Sequence, residues 1–260
     1  METFTLRNYT ISKQYVFDRL PAQKTVISTI NPHSWVVADR DYEFQSALCD
    51  SDILLPDGVG IVLTARLLWN ERFPKIAGDD LHKMILGKLN QLSGRAFYLG
   101  ASPHVLDRIR LKLQKEYPNI QVGTYTPPYR TAFTKEESLQ MVQAVNEFLP
   151  DVLFVGMTAP KQEKWLHQYK SQLDVNVMCA IGGAFDFYAE TVPRAPQWMI
   201  QYGLEWLFRL TREPGRMWKR NFLSTPQFIL KMLALKYRSI MSAKMNPKHV
   251  KKNSTKIIIE

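Results

Sequence analysis

Residues 152–183, VLFVGMTAPKQEKWLHQYKSQLDVNVMCAIGG, decide the fold of this chain. Two short apolar runs, at 152–155 and 175–181, flank a helical stretch at 160–173. Apolar runs of this length without polar alternation are typical of strands that are buried on both faces of a sheet. A buried strand, a helix and a second buried strand in this order predict a parallel sheet covered by helices.

The same alternation continues outward from this stretch toward the N-terminus. Further strands are predicted at 25–29, 53–55, 96–99 and 120–123, and further helices at 35–48, 60–69, 80–92, 103–117 and 135–148. We therefore predict an α/β fold, Rossmann-like, with a mostly parallel sheet flanked by helices. The sequence has neither a GxGxxG pattern nor a Walker loop, which argues against a dinucleotide or ATP enzyme.

The formal net charge of +10 is concentrated near the C-terminus. Residues 1–208 carry 21 basic and 22 acidic side chains, whereas residues 209–252 carry twelve basic side chains and one acidic residue, Glu213. We predict three parts: an α/β core at 1–190, a helical, basic, amphipathic appendage at 191–243, and a disordered basic tail at 244–260. A neutral body with a basic, aromatic-rich appendage indicates an anionic partner.

The pattern of the appendage distinguishes between anionic partners. Thr225 at the N-cap and Pro226 at N1 predict a helix start, and helical spacing places Phe228, Met232 and Leu235 on one side. A wide apolar face beside a basic strip is typical of a helix in a bilayer interface, so we expect an anionic membrane surface. The alternative is a helix packed on its own domain or on a second subunit. We expect no nucleic acid partner, because a broad apolar face has no use on a phosphate backbone and no RNA- or DNA-binding motif occurs.

The apolar runs, the N-terminal residues, the cysteines and the histidines indicate where the protein is located and which sites it lacks. No apolar run approaches the ~18 residues of a membrane-spanning helix, and the N-terminus lacks the layout of a signal peptide. We therefore expect a peripheral protein on the cytosolic side. Cys49 and Cys179 lie far apart, and the histidines have no ligand spacing, so we predict no disulfide and no metal site.

Small and polar residues follow the predicted strands, at the sheet edge where α/β proteins bind ligands. Asp57 lies between Pro56 and Gly58 at the end of a buried strand. It is either a general base in a cleft or a helix cap in a turn, and the residue pattern favours neither. A DxD pattern at 39–41 falls inside the predicted helix 35–48, so we interpret it as a solvated helix face rather than a metal site.

Several motifs occur in order: TxN at 29–31, PDGxG at 56–60, GDD at 78–80, APKQExW at 159–165, GGAFDF at 182–187, RAPxW at 194–198 and LEWLFRLxxEPxR at 204–216. With these motifs the chain resembles the WecG/TagA/CpsF family of bacterial glycosyltransferases, over about residues 25–236. The resemblance implies an inverting transfer of a sugar from a UDP-sugar to a polyprenyl-diphosphate-linked sugar in cell-surface polysaccharide biosynthesis. It also implies that no metal or other cofactor is needed, and that the protein works at the cytoplasmic face of the bacterial inner membrane.

The resemblance also implies roles for individual residues. Asp57 matches the catalytic base and Thr29 a residue near the reacting sugar. The donor-binding positions are Asn31, Gly156, Gln162, Gly183 and Asp186. The positions that bind the acceptor or a diphosphate are Lys75, Arg209, Arg212, Arg216 and Arg220. Lys75 stands where the family commonly has Arg, so the charge is kept and the bidentate fork is lost.

The resemblance leaves three questions open. The donor sugar is N-acetylmannosamine, its uronic acid, or glucose or another hexose. The aromatic residues at 206–222 would face either a membrane or a second subunit in a homo-oligomer. The alternative function is a non-catalytic scaffold that binds a nucleotide sugar and recruits assembly partners to the membrane.

Overall fold

The computed structural model describes residues 2–14 and 19–245, without the side chains of Arg216 and of residues 242–245. In this part, one sheet has the strand order β1-β2-β4-β3-β8-β7-β5-β6. Neighbouring strands are parallel except β1 and β2, which form an antiparallel hairpin. The strands are β1 (Thr3–Leu6), β2 (Tyr9–Ser12), β3 (Thr25–Ile30), β4 (Ile53–Pro56), β5 (Arg95–Gly100), β6 (Gln121–Tyr125), β7 (Val152–Gly156) and β8 (Val177–Ala180).

Helices connect the parallel strands and then continue beyond the sheet. The helices are α1 (Pro32–Ala38), α2 (Tyr42–Cys49), α3 (Val59–Trp69), α4 (Gly78–Leu92), α5 (Pro103–Glu116), α6 (Lys135–Phe148), α7 (Lys161–Tyr169), α8 (Ala184–Tyr188), α9 (Gln197–Gln201), α10 (Glu205–Arg212), α11 (Pro214–Trp218) and α12 (Thr225–Met245). A 3₁₀ turn (Lys170–Gln172) follows α7, and a π-helical segment (Lys219–Ser224) joins α11 to α12. The predicted α/β class and the mostly parallel sheet are confirmed.

Each predicted strand corresponds to an observed one, because buried central strands carry a continuous apolar signal. The hairpin β1-β2 was not predicted. Its strands are short, and they bury alternate side chains such as Phe4, Leu6, Tyr9 and Ile11 against the edge of the sheet. The turn between them places Arg7 at a positive φ of 56°.

The prediction of one helix at 35–48 was wrong. Asp39 ends α1, and Asp41 begins α2 by accepting a hydrogen bond at Oδ1 from the Phe44 N–H at 3.1 Å. An aspartate side chain competes with helix propagation in this way, so two helices form where apolar spacing predicted one. The DxD pattern at 39–41 is therefore the junction of two helices and not a helix face.

The N-cap predicted at Thr225 was wrong, although α12 does begin at this residue. Thr225 has helical backbone angles, φ −63° and ψ −46°, and its hydroxyl donates to the Arg220 carbonyl at 3.0 Å. The chain is helical through the π-helical segment into α12. A Pro at 226 is tolerated there because the local hydrogen-bond pattern has already changed.

One side of α12 packs on the core. Phe228 and Met232 are fully buried, and the Phe228 ring lies edge-on to Trp35 with centroids 5.6 Å apart. Lys231 forms an ion pair with Asp39, and Gln227 accepts from Arg40 at 3.2 Å. This side of α12 therefore packs on its own domain, which is the alternative that the sequence left open to a helix in a bilayer interface.

The other side of α12 and the preceding helices leave large apolar side chains exposed. They are Trp198, Tyr202, Trp206, Leu207, Trp218, Phe222, Leu223, Ile229, Leu230, Leu233, Tyr237, Ile240 and Met241. Within the described ranges, none of the helices combines the length and apolar character that crossing a bilayer requires. The tail predicted at 244–260 lies almost wholly outside the described residues.

Candidate active site

A cavity of about 500 Å³ opens at the carboxyl ends of β4, β3, β8 and β7. Parallel strands end at one edge of their sheet, so the loops that follow them converge there. Helices from the C-terminal part of the chain form the opposite wall. Among the residues predicted for the site, the cavity is lined by Thr29, Asn31, Asp57, Gly156, Gln162, Gly183, Asp186, Arg209 and Arg220.

Asp57 and Thr29 are brought together by the pairing of β3 with β4. Thr29 pairs with Leu55 and Ile30 with Pro56, and the Asp57 N–H donates to the Ile30 carbonyl at 2.9 Å. Gly58 takes the N-cap position of α3 with a φ of 89°, a conformation that suits glycine. Because Gly58 begins the helix, the Asp57 carboxyl group is left to face the cavity.

The charge environment of Asp57 is mixed. Burial raises the pKa of this carboxyl group above its ordinary value, the positive charges of Lys75, Arg220 and Arg209 oppose the rise, and Glu205 adds to it. Lys75 itself pairs with Glu205, with Nζ 2.8 Å from Oε2. A carboxylate that is more basic than usual and lies beside cations suits proton abstraction next to an anionic ligand.

Asn31 lines the cavity and also begins α1. Its Oδ1 accepts from the Ser34 N–H at 3.0 Å, and the Ser34 hydroxyl accepts from the Asn31 N–H at 2.8 Å. This reciprocal cap holds the β3-to-α1 turn in place. Asn31 therefore has a structural task at the position where the sequence predicted donor binding.

Gly156 ends β7 and lines the cavity, but its small size serves packing. A Cβ at this position would lie 2.2 Å from the ring of Phe185. Gly182, in the next loop, has a φ of 47°, and a Cβ there would lie 3.3 Å from Gln162 Oε1. Asp186 lies in α8, and its backbone carbonyl accepts from the Thr191 hydroxyl at 3.2 Å.

Gln162 and Glu163 lie in the first turn of α7 as a buried pair in the cavity wall. The Gln162 amide donates to Glu163 Oε1 at 2.8 Å, and each residue is 3% exposed. Burial raises the pKa of Glu163 to about 7. The family resemblance implies a role for Gln162 and none for Glu163, although Glu163 lies inside the APKQExW motif.

The structure separates the basic residues predicted for the site. Arg209 and Arg220 line the cavity, whereas Lys75 does not and instead pairs with Glu205. Arg212 does not line it; this residue is exposed, and its guanidinium lies 5.7 Å from the centre of the Phe208 ring. Arg216 belongs to α11, and its side chain lies outside the described residues.

Several lining residues were missed by the sequence analysis. Arg194 forms ion pairs with Asp79 and Asp80, which joins the RAPxW motif to the GDD motif at the cavity. His33 Nδ1 lies 2.8 Å from Ser224 Oγ and connects α1 to the C-terminal wall. Both motifs were visible in the sequence, but their pairing over more than a hundred residues depends on the fold.

The described residues contain no group of three or more His, Cys, Asp or Glu side chains placed to hold a metal ion. The cavity instead contains the Asp57 carboxyl group, whose pKa is raised, at the end of β4. Cationic side chains lie on its C-terminal wall, and the buried Gln162–Glu163 pair lies in the helix that follows β7. The fold and this site define an α/β protein that can hold an anionic ligand beside a proton acceptor.

Comparison with known proteins identifies the family. Residues 4–241 match the sequence model of the glycosyl transferase WecG/TagA/CpsF family. A Bacillus subtilis relative named N-acetylglucosaminyldiphosphoundecaprenol N-acetyl-beta-D-mannosaminyltransferase is 36% identical over 223 residues, which cover 86% of this chain and 83% of the relative. The chain belongs to the WecG/TagA/CpsF family and is a glycosyltransferase.

Two further relatives carry the same name. The Bacillus spizizenii protein is 31% identical over 80% of this chain and 78% of its own length. The protein of Staphylococcus aureus strain MW2 is 29% identical over 84% of this chain and 83% of its own length. The alignments therefore cover most of this chain and most of each relative.

Proposed function

We propose that this enzyme transfers N-acetylmannosamine from its UDP-linked form to N-acetylglucosaminyl-diphosphoundecaprenol. The acceptor and the sugar follow from the names of its relatives. The observation that carries the mechanism is the placement of Asp57 and Thr29 side by side in a cavity with cations on the opposite wall. Product and acceptor belong to cell-surface polysaccharide assembly.

The transfer proceeds in one displacement. An acceptor hydroxyl oxygen attacks the anomeric carbon as its proton passes to the Asp57 carboxylate. The new glycosidic bond forms while the bond from the anomeric carbon to the diphosphate oxygen breaks, so the configuration inverts and UDP leaves with the bonding electrons. The raised pKa of Asp57 increases its strength as a base.

The departing diphosphate needs positive charge close to it. Arg209 and Arg220 line the wall that faces the strand ends, and Lys219 lies beside Arg220 on the same wall. Guanidinium groups match phosphate oxygens with paired N–H donors. We assign the diphosphate to this wall and place the reacting sugar between it and Asp57.

A lipid-linked acceptor requires access to a membrane surface. The exposed aromatic and aliphatic side chains of α9 to α12 lie on the same part of the chain as the basic residues of the appendage. In peripheral membrane binding, apolar side chains enter the bilayer interface while cationic side chains contact anionic headgroups. We propose that residues 191–243 dock the enzyme peripherally on the cytoplasmic face, with its cavity near the acceptor.

The test is acceptor-dependent release of UDP, measured with a panel of UDP-sugars and N-acetylglucosaminyl-diphosphoundecaprenol. Release with UDP-N-acetylmannosamine is expected, and Asp57→Asn should lower kcat by roughly 10²–10⁴-fold, the usual contribution of a general base. Binding of UDP by this variant should persist. Binding without release in the wild type, over all donors and both N-acetylglucosamine- and glucose-primed lipids, would favour the scaffold function instead.

A further inference from the structure

Glu205, a carboxylate from the C-terminal helices, lies in the same cavity as Asp57 and takes no part in the proposed reaction. Both residues line the cavity. Glu205 is the first residue of α10, and its side chain is 19% exposed. A second negative charge beside a general base opposes the binding of an anionic ligand. The contacts of Glu205 indicate what this charge does instead.

The turn before α10 brings Glu205 to the end of the cavity where Asp57 lies. Gly203 in this turn has a φ of 70°, and a Cβ there would lie 3.1 Å from Val59 Cγ2. Val59 begins α3, two residues after Asp57. The backbone at residue 203 therefore packs on the segment that follows β4, and Glu205 comes two residues later in the chain.

Glu205 holds Lys75 in an ion pair. Lys75 Nζ lies 2.8 Å from Glu205 Oε2, and both side chains are 19% exposed, so solvent screens the pair only in part. Lys75 is fixed beside β4, because the N–H of the next residue, Ile76, donates to the Pro56 carbonyl at 2.9 Å. Pro56 directly precedes Asp57. The charge of Lys75 acts on both carboxyl groups, and the structure pairs it with Glu205.

We propose that Glu205 is a positioning residue, which holds Lys75 away from Asp57 and so leaves the Asp57 carboxylate free to accept the proton of the acceptor hydroxyl. An ion pair between Lys75 and Asp57 would occupy the lone pairs that the hydroxyl must reach, and it would make the carboxylate a weaker base. This inference rests on the proposed function of Asp57. It adds Glu205 to the residues on which the reaction depends and leaves the proton transfer itself unchanged.

The charges around Asp57 support this role. Those that act on it are Lys75 from the loop before α4, Glu205 and Arg209 from α10, and Arg220 from the π-helical segment. Other titratable or charged side chains that line the cavity are His33, Asp79, Glu163, Asp186, Arg194 and Lys219. Among the cations, Lys75 opposes the raised pKa of Asp57 most strongly, whereas Glu205 supports the rise. Loss of the Glu205 charge would remove that support and free Lys75, so both changes would lower the pKa of Asp57.

The experiment records the pH profile of kcat/KM for UDP release by the full chain, with UDP-N-acetylmannosamine and N-acetylglucosaminyl-diphosphoundecaprenol. Activity rises with pH as the base loses its proton, so a lower pKa of Asp57 moves this acid limb to lower pH. Glu205→Gln keeps the shape of the side chain and removes its charge. Its acid limb should move by about 1 pH unit or more to lower pH, the usual effect of an ion pair on a carboxyl group. Its rate above the limb should fall about tenfold, a part of the contribution of a general base.

A second substitution tests whether Glu205 acts through Lys75. In Lys75→Met combined with Glu205→Gln the competing cation is gone, so the acid limb should return to within about 0.5 pH units of the wild-type limb. The rate should recover at least about threefold over Glu205→Gln alone, whereas two purely structural losses would add. Glu71→Gln is the matched control, because it breaks the 2.6 Å ion pair of Glu71 with Lys13 and neither residue lines the cavity. Its profile should match that of the wild type, and circular dichroism checks the folding of each variant.

An acid limb that Glu205→Gln leaves in place would overturn the proposal, as would a double variant no faster than Glu205→Gln. Glu163 also lies in the cavity wall with a pKa of about 7, so the series is repeated in Glu163→Gln. A shift that vanishes in that background belongs to Glu163 and overturns the proposal too. A wild type that transfers sugar while the limb stays unmoved in Glu205→Gln refutes this inference alone. A wild type without acceptor-dependent release refutes the proposed function and this inference with it.

Discussion

The buried carboxyl group of Glu163 should make the stability of the wild type depend on pH in a way that Glu163→Gln removes. Its folded pKa is raised from 4.5 to about 7, chiefly by burial. Below pH 4.5 the group is protonated in both the folded and the unfolded chain. Between pH 4.5 and 7 the unfolded chain releases the proton while the folded chain keeps it, so stability falls as the pH rises.

The magnitude follows from the size of the pKa change. At 1.36 kcal/mol per pKa unit, a rise from 4.5 to about 7 corresponds to about 3 kcal/mol of stability lost above pH 7. Glutamine does not titrate and retains the hydrogen bond with Gln162. The free energy of unfolding of Glu163→Gln minus that of the wild type should therefore increase by about 3 kcal/mol between pH 4 and pH 8.

Urea denaturation of both proteins at pH 4, 6 and 8 measures this difference directly, because titration of all other groups cancels between them. Asp107→Asn, an exposed carboxyl-to-amide change on α5, is the control and should differ from the wild type by less than about 0.5 kcal/mol at each pH. A constant difference between Glu163→Gln and the wild type from pH 4 to pH 8 would refute the reasoning.

Three other predictions concern the C-terminal helices and their contacts. Phe228→Ala should lower the free energy of unfolding by roughly 3–5 kcal/mol because this ring is fully buried against Trp35, whereas Ile229→Ala, on the exposed side, should cost less than about 1 kcal/mol in the same urea titration. Trp218→Glu should weaken sedimentation with anionic vesicles, whereas Leu111→Glu, at an exposed leucine of α5, should not; equal losses would exclude a localised docking surface. Arg194→Ala should lower the free energy of unfolding by roughly 3 kcal/mol in the same urea titration, because it leaves the buried Asp79 paired with Lys83 alone among its observed partners. Asp79→Asn added to Arg194→Ala should recover part of that loss.

The burial of α12 also changes how membrane docking is tested. Removing the residues after Ser224 would take away Phe228 and Met232, which belong to the core formed by β1, β2, α1, α2 and α3. A truncated protein that leaves the membrane could have lost its fold as well as its surface contacts. Point substitutions on the exposed side of the appendage separate these two effects.

Much of the fold could be predicted because its signals are local. The strands β3 to β8 are short apolar runs, and the helices α3 to α7 follow from spacing and from end residues such as the Ser102 cap of α5. The strand-end residues Thr29 and Asp57 could be predicted to approach each other, because parallel strands end at one edge. The break at 39–41 and the continuous helix through Thr225 could not, since both depend on which hydrogen bonds the local side chains form.

The α/β class, the asymmetric distribution of charge and the motifs that identify the family can all be recognised without coordinates. Periodicity, charge and motif spacing are properties of neighbouring residues, so they do not depend on the fold. The contact between Arg194 and Asp79, and the burial of Phe228 beside the exposed Ile229 on α12, depend on the three-dimensional packing. The same packing buries Glu163 beside Gln162 in the cavity wall. Burial and long-range pairing depend on which surfaces pack together, and a residue pattern along one chain does not specify those surfaces.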